Sequence, residues 1–423
     1  MIHISITQLT IIYAFVTIIF IIVLESKKLD YIKAKASCFS FFSFTIALFT
    51  FYFLQHLWNS NILFICLYIV FELVTILILK RFKLYKPIHS VLFIFLTFLA
   101  ISLEYISYTP YFVRQHDMRD FYDYGNGGHF GYIGYLFANH HLPIGNPKDY
   151  WCFFNPPLFY IISAIFIKIQ NLTGLKFEEC FENLQFFSCF CTLIFDIYVY
   201  RILKKVGIKH SLTIVTAFVL FSPSLIIMSG SLNNDILSIM LSTMALFYAI
   251  KWFESDKLLD LIKIAFCIGI AMMTKVSSAI IAIAIGALFI MRLLKNRKEF
   301  KKYIIHFGIF AIIALPIGLW FPIKNLILYH IPPTYVQSVD PNTPINLSSY
   351  SVAERFFTVS SHEAISNVNV IMEGEHRDYN LFFTTLKSFV LDEHVDYQEN
   401  QLLRFNSSCF ILSIYNNSYN ISS

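Results

Sequence analysis

The side chains with the most chemistry to offer lie between Arg114 and Pro157, in RQHDMRDFYDYGNGGHFGYIGYLFANHHLPIGNPKDYWCFFNPP. Asp117 and Asp120 stand three residues apart, so a helical backbone would carry both carboxylates on one face. Two carboxylates at that range push one of their pKa values up, which suits a general base working near neutral pH. His129 sits in Gly127-Gly128-His129-Phe130-Gly131, where glycines permit tight turns and close approach. His140-His141 looks like a metal pair, but adjacent residues of a helix do not face the same way. No Cys/His ligand spacing accompanies it, so no metal ligands are assigned. Asn233-Asn234-Asp235 opens an apolar run further on. Its carboxylate is suited to orienting an acceptor or helping to hold a divalent metal, and equally to capping the helix that follows. Lys275 closes another apolar run, as a phosphate partner or as a lysine that snorkels to the membrane interface. A polar stretch as long as 114–157 in an otherwise oily chain is more often functional than a spacer.

The elements that must position these groups are membrane helices. The chain is 57% hydrophobic and only 14% charged, with a mean hydropathy of +0.62. A soluble domain could not hide that much apolar surface, whereas a polytopic helical protein has lipid as its solvent. Apolar runs long enough to span lie near 6–24, 38–57, 61–79, 87–107, 184–203, 211–229, 235–253, 277–293 and 303–321. A shorter one lies near 260–274. The 156–169 run opens on Pro156-Pro157 and is short enough to lie in the interface. Clusters of Lys and Arg follow the first, third and 184–203 runs, and others lie at 251–263 and 292–302. With all five in the cytoplasm, about ten spans result and 260–274 is a true, short one. Both chain ends, the 108–183 loop, the Ser231–Asp235 turn and everything after Pro322 then lie outside. The scattered cysteines read as small core hydrophobes. No segment has the basic clustering of a nucleic-acid binder.

In this frame the order of short motifs resembles the GT-C class of membrane glycosyltransferases. The nearest group holds the protein O-mannosyltransferases, the aminoarabinose transferases of lipid A and their bacterial relatives, family 39-like enzymes. The matching residues are Gln115-His116-Asp117, Gly128-His129-Phe130-Gly131-Tyr132-Ile133, Leu142-Pro143, Phe154-Asn155-Pro156-Pro157-Leu158-Phe159-Tyr160, Asn233-Asn234-Asp235, Thr274-Lys275 and Trp320 with Lys324-Asn325. Such relatives usually carry His where this chain has Asn155, and often Arg where it has Lys324.

The resemblance implies an all-α polytopic GT-C-like bundle: N-terminal membrane helices over 1–86, a membrane core over 87–325 that includes the catalytic loop 108–183, and an external polar segment over 326–423. It implies transfer of a sugar, with inversion, from a polyprenyl-phosphate donor to a hydroxyl acceptor at the outer face of a bacterial cytoplasmic membrane. Asp117 takes the place of the family's first acidic position and is the general base, with Asp120 beside it. His116, His129, Asn155, Asp235, Lys275 and Lys324 are the substrate contacts implied. No cofactor is called for, although a divalent metal is compatible with the residues.

After Asn325 the chain turns polar, and RFNSSCFILSIYNNSYNISS ends it without a further span. The segment reads as truncated or as a divergent short form. Two other functional classes fit a chain of this composition. A transporter or lipid flippase would bury charge mid-span and pair broken helices in two related halves. Glu72, Glu104, Asp196 and Lys275 lie in or near spans, but no internal repeat is evident. A non-catalytic partner in envelope assembly is the third.

Overall fold

The computed structural model describes residues 62–335, apart from 86, 110, 112–121, 125–126, 208–215 and 218, together with 346–358, 380–382 and 384–385. The structure is 78% helical, with no strand among the described residues. It is an all-α polytopic membrane protein. In chain order the helices are α1 (Ile62–Arg81), α2 (Pro87–Tyr108), α3 (Gly128–Asn139), α4 (Leu158–Asn171), α5 (Phe177–Val206), α6 (Pro223–Met228), α7 (Asp235–Ser255), α8 (Leu258–Thr274), α9 (Ile281–Lys295), α10 (Phe300–Tyr329) and α11 (Val352–Phe357). The described residues fall into two compact units, those of Met1–Leu220 and Met228–Tyr335, and those of Phe221–Ile227 and Val336–Ser423.

The spans expected at 6–24 and 38–57 lie outside the described residues. Among the described residues five segments are long and apolar enough to cross a membrane: His89–Ile106, Phe177–Val206, Asp235–Ser255, Val276–Lys295 and Arg297–Tyr329. Each coincides with an apolar run of the sequence, because in lipid the backbone must satisfy its own hydrogen bonds. Two runs depart from the expectation. The 211–229 run is not one continuous helix, since Phe221 and Ser222 leave the helical conformation and α6 starts at Pro223. Proline lacks an N–H and its ring disfavours helix in the residue before it. Conversely, α10 runs past the expected end at 321 to Tyr329, through Pro316 and Pro322. The residues beyond Pro322 are still apolar (Ile323, Leu326, Ile327, Leu328), and a membrane helix tolerates proline when its neighbours re-satisfy the freed carbonyls.

The larger unit is centred on α7, α8, α9 and α10. Trp252 of α7 is fully buried, with Phe289 of α9 at 4.8 Å and Tyr303 of α10 at 6.2 Å between ring centroids. Phe289 stacks on Phe307 at 4.9 Å. Aromatic side chains of this kind each bury a large apolar area and pack in tilted or offset-stacked pairs. Asp256, in the left-handed conformation that ends α7, ties the same end together. It accepts a hydrogen bond from Tyr303 Oη at 3.1 Å and pairs with Lys302. Nearby, the buried Asp260 accepts from Lys251 Nζ at 2.9 Å and from Ser255 Oγ at 3.2 Å.

Helices α8 and α10 cross where two glycines face each other's helix. A Cβ added at Gly269 would stand 2.9 Å from Ile317 Cβ, and one at Gly318 would stand 3.0 Å from Met272 Cβ. Small residues let membrane helices approach closely, and dispersion contacts then replace the missing hydrophobic drive. Gly269→Ala is therefore expected to destabilise the bundle by about 1–3 kcal/mol. Thermal unfolding in detergent checks this, and an unchanged melting temperature would show that Ile317 gives way freely.

Helix α5 carries Glu178 and Glu179 in its first turn and Lys204 and Lys205 in its last, in the sense that complements the helix dipole. Glu179 accepts from the Lys176 N–H at 2.8 Å, and Gly207 ends the helix at φ 96°. In α4, by contrast, fourteen residues rise only about 21 Å, less than the hydrocarbon thickness of about 30 Å. In the second unit, Ser351 and Glu354 form a reciprocal cap on α11: the Ser351 N–H donates to Glu354 Oε2 at 2.7 Å, and the Glu354 N–H to Ser351 Oγ at 3.2 Å.

Candidate active site

Two constellations of the expected site residues are built by the described structure. The first is at the start of α3. Gly127 donates its N–H to the Asp123 carbonyl at 2.7 Å, and the same carbonyl lies 2.5 Å from where a Cβ on Gly131 would stand. Only glycine at 131 lets the loop cross the helix that closely. This fixes α3 against its loop and turns His129 toward α4. His129 Nδ1 and Tyr160 Oη are 2.8 Å apart, and the two rings stack with centroids at 5.7 Å. Tyr132 lies over Tyr160 at 4.2 Å and over Phe153 at 4.5 Å, with Tyr150 on the far side of Phe153 at 4.9 Å. Burial pushes the Tyr132 phenol up from its ordinary value, with Tyr135 adding to the shift.

Asn155 lies at the turn that delivers α4. Its N–H donates to the Cys152 carbonyl at 3.0 Å, and Cys152 is held at a positive φ of 70°. A non-glycine residue there is strained, a cost that persists only where the surroundings over-determine the backbone. Pro156 and Pro157 are buried behind it. The Asn-Pro-Pro-Leu-Phe-Tyr run is thus a rigid hinge that aims Tyr160 at His129. The sequence reading had Tyr160 only as part of that run. Its pairing with His129, thirty-one positions away, needed the structure.

The second constellation joins the start of α7 to the end of α8. Asp235 is the first residue of α7, and the cap position falls to Asn234, so the carboxylate is not spent on capping. The Asp235 N–H donates to Asn233 Oδ1 at 3.0 Å. Asn234, buried, sends its amide to the Thr274 carbonyl at 2.9 Å and pins the two helix ends together. Ser188 of α5 donates to the Ser231 carbonyl and secures the turn from the other side. Asp235 and Lys275 then form an ion pair, with their side chains 35% and 36% exposed. An ammonium beside a helix N-terminus, still reachable from outside, is a favourable seat for an anion.

Lys324 is half-buried on α10, with its ammonium 5.5 Å from the Phe321 ring. Asn325 beside it is 2% exposed, and its side-chain oxygen has no hydrogen-bond partner among the described residues. Asp117, Asp120 and His116 lie outside the described residues. His141 Nδ1 is 2.8 Å from the Leu142 carbonyl, a local contact. Among the described residues no group of three or more His, Cys, Asp and Glu is placed to hold a metal ion.

Residues 155–320 match the family of dolichyl-phosphate-mannose-protein mannosyltransferases. The matched stretch begins at Asn155 and includes Tyr160, Asp235 and Lys275. Over it the chain is similar to the GT-C mannosyltransferases, and that likeness supports, at a coarse level, a multi-pass membrane glycosyltransferase of the kind that uses a polyprenyl-phosphate sugar donor. No curated protein and no solved structure matched the chain.

Proposed function

We propose that the protein moves a sugar from a polyprenyl phosphate to a hydroxyl acceptor at the outer face of a bacterial cytoplasmic membrane, with inversion at the anomeric carbon. The acceptor O–H gives its proton to the Asp117 carboxylate as its oxygen attacks. The bond from the anomeric carbon to the phosphate oxygen breaks, and its electron pair leaves on the phosphate. Lys275 faces that growing charge, with the N-terminal amides of α7 beside it. Asp235 holds the ammonium in place until the phosphate arrives. His129 on Tyr160, Asn155 and Lys324 line the sugar and acceptor side, and Asp120 tunes the base. The observation that carries this reading is the partly exposed Asp235–Lys275 pair inside the family-matched stretch.

Membranes containing the full chain, given a panel of radiolabelled polyprenyl-phosphate sugars, are expected to transfer label to a hydroxyl acceptor. Failure with every donor and acceptor offered would overturn the reading.

One observation favours transport instead. Asp196 is fully buried in α5, and neither carboxylate oxygen has a hydrogen-bond partner among the described residues. An ionisable group in such a place often marks an ion or substrate path. Movement of lipid across reconstituted vesicles, abolished by Asp196→Asn and without sugar transfer, would establish that reading.

A further inference from the structure

A groove of about 560 Å³ runs between α3 and α4. From α3 and its exit it is lined by Leu136, Phe137, His140, His141 and Leu142. From α4 it is lined by Ile161, Ala164, Ile165 and Lys168, spaced i, i+3, i+4, i+7, so that one stripe of the helix forms the wall. None of these residues belongs to the His129–Tyr160 or Asp235–Lys275 constellation.

The groove is amphiphilic in a particular sense. Its floor is aliphatic and aromatic, and among the described residues its only polar side chains are an ammonium and two imidazoles. Lys168 Nζ stands 5.5 Å from the Phe137 ring centroid, and no carboxylate pairs with it among the described residues. His140 ends α3 in the left-handed conformation, which leaves both imidazoles at the same end of the helix. At and beside the groove, α4 and the residue that caps it present Ile165, Ile169 and Leu172, which are 54%, 58% and 78% exposed. A surface this apolar on a helix too short to span belongs in a lipid leaflet. The groove therefore lies beside a surface suited to lipid.

We infer that this groove binds an anionic glycerophospholipid, with an acyl chain along the floor and the phosphodiester at Lys168. Three features select that occupant. A fatty chain matches the apolar wall. One fixed cation matches the single negative charge of a phosphodiester, and two imidazoles supplement it. Among the described residues the lining has no carboxylate, amide or hydroxyl side chain to hold sugar hydroxyls, so the sugar-bearing head of a donor lipid finds no partners among them. The bound lipid would fasten α3 to α4 and so steady the helices that carry His129 and Tyr160. The inference does not depend on the glycosyltransferase reading, only on these two helices meeting the membrane.

The test uses the full chain in nanodiscs containing phosphatidylcholine, with a photoactivatable acyl chain carried either on phosphatidylglycerol or on phosphatidylcholine. Proteolytic peptides covering 136–142 and 161–168 are scored for adducts. Phosphatidylglycerol is expected to label them about tenfold more than phosphatidylcholine, the ratio that one charge-assisted contact supplies. Lys168→Glu should reduce that preference to none, and Ile165→Trp should lower labelling by both lipids. Lys168 and Ile165 are both exposed, so neither change threatens folding, and matched thermal unfolding confirms it. Equal labelling by the two lipids in the wild type would overturn the inference. So would a preference that survives Lys168→Glu. Displacement of the phosphatidylglycerol label by polyprenyl phosphate at lower concentration would also overturn it, and would assign the groove to the donor.

Discussion

Asp117→Asn is expected to lower sugar transfer by about 10²–10⁴-fold, the range a positioned general base contributes. The substitution keeps the shape of the side chain and removes its capacity to take the acceptor proton. Donor binding should stay near its wild-type value if, as proposed, Asp117 acts on the acceptor side of the anomeric carbon. Asp120→Asn is expected to cost much less, about tenfold, and to do so in a diagnostic way. If the two carboxylates share a helical face, as their spacing allows, each raises the pKa of the other, and removing Asp120 lets that of the base fall. The acid limb of the pH–rate profile then moves to lower pH, since Asp117 stays ionised further down. Full activity in Asp117→Asn at matched expression would place the base elsewhere, while collapse in Asp120→Asn alone would exchange the two roles.

The second large effect is expected at the α7–α8 junction. Lys275→Met should reduce kcat/KM for the donor by about 10²-fold, in line with the about 1.5–3 kcal/mol of a hydrogen bond to a charged group. Lys275→Arg keeps the charge in a different geometry and should recover part of the loss. Asp235→Asn separates function from architecture. If the ammonium serves the donor phosphate, freeing it from Asp235 leaves donor binding intact or tighter and lowers stability only modestly, because the pair is about one-third exposed. If the pair is only a clamp between two helix ends, Asp235→Asn and Lys275→Met should lower the melting temperature alike and leave donor KM unchanged. The clamp has a separate measure in Asn234, whose buried amide reaches the Thr274 carbonyl without any charge.

The two constellations differ in how they are held, and this bears on which should tolerate change. His129 and Tyr160 rest in a layer of rings with Tyr132, Phe153 and Tyr150, so their geometry is set by packing. Asp235 and Lys275 are held by hydrogen bonds at helix ends and face solvent. Under the proposed function, the aromatic layer orients and the charged pair answers to an incoming anion.

The described spans, the short α4 and the start of α7 at Asp235 were all legible in the chain itself. Each follows from a local rule: a backbone in lipid must pair with itself, so an apolar run of sufficient length becomes a helix, and prolines and polar turns mark its ends. The same local rule failed at Pro223 and at Pro322, where one proline broke a run and the other was absorbed. Local pattern does not say whether neighbouring helices will satisfy the carbonyl that a proline leaves free. Residue type also singled out His129, Asp235 and Lys275, but not their partners. Asp235 meets Lys275 across forty positions, and His129 meets Tyr160 across thirty-one. Such pairings depend on how far each helix is rotated and at what height it stops, and those are fixed by close crossings such as Gly269 against Ile317. The sequence thus determined that this is a helical membrane protein and where its polar residues gather. Only tertiary packing, through the rotation and height of each helix, decided which of those residues touch.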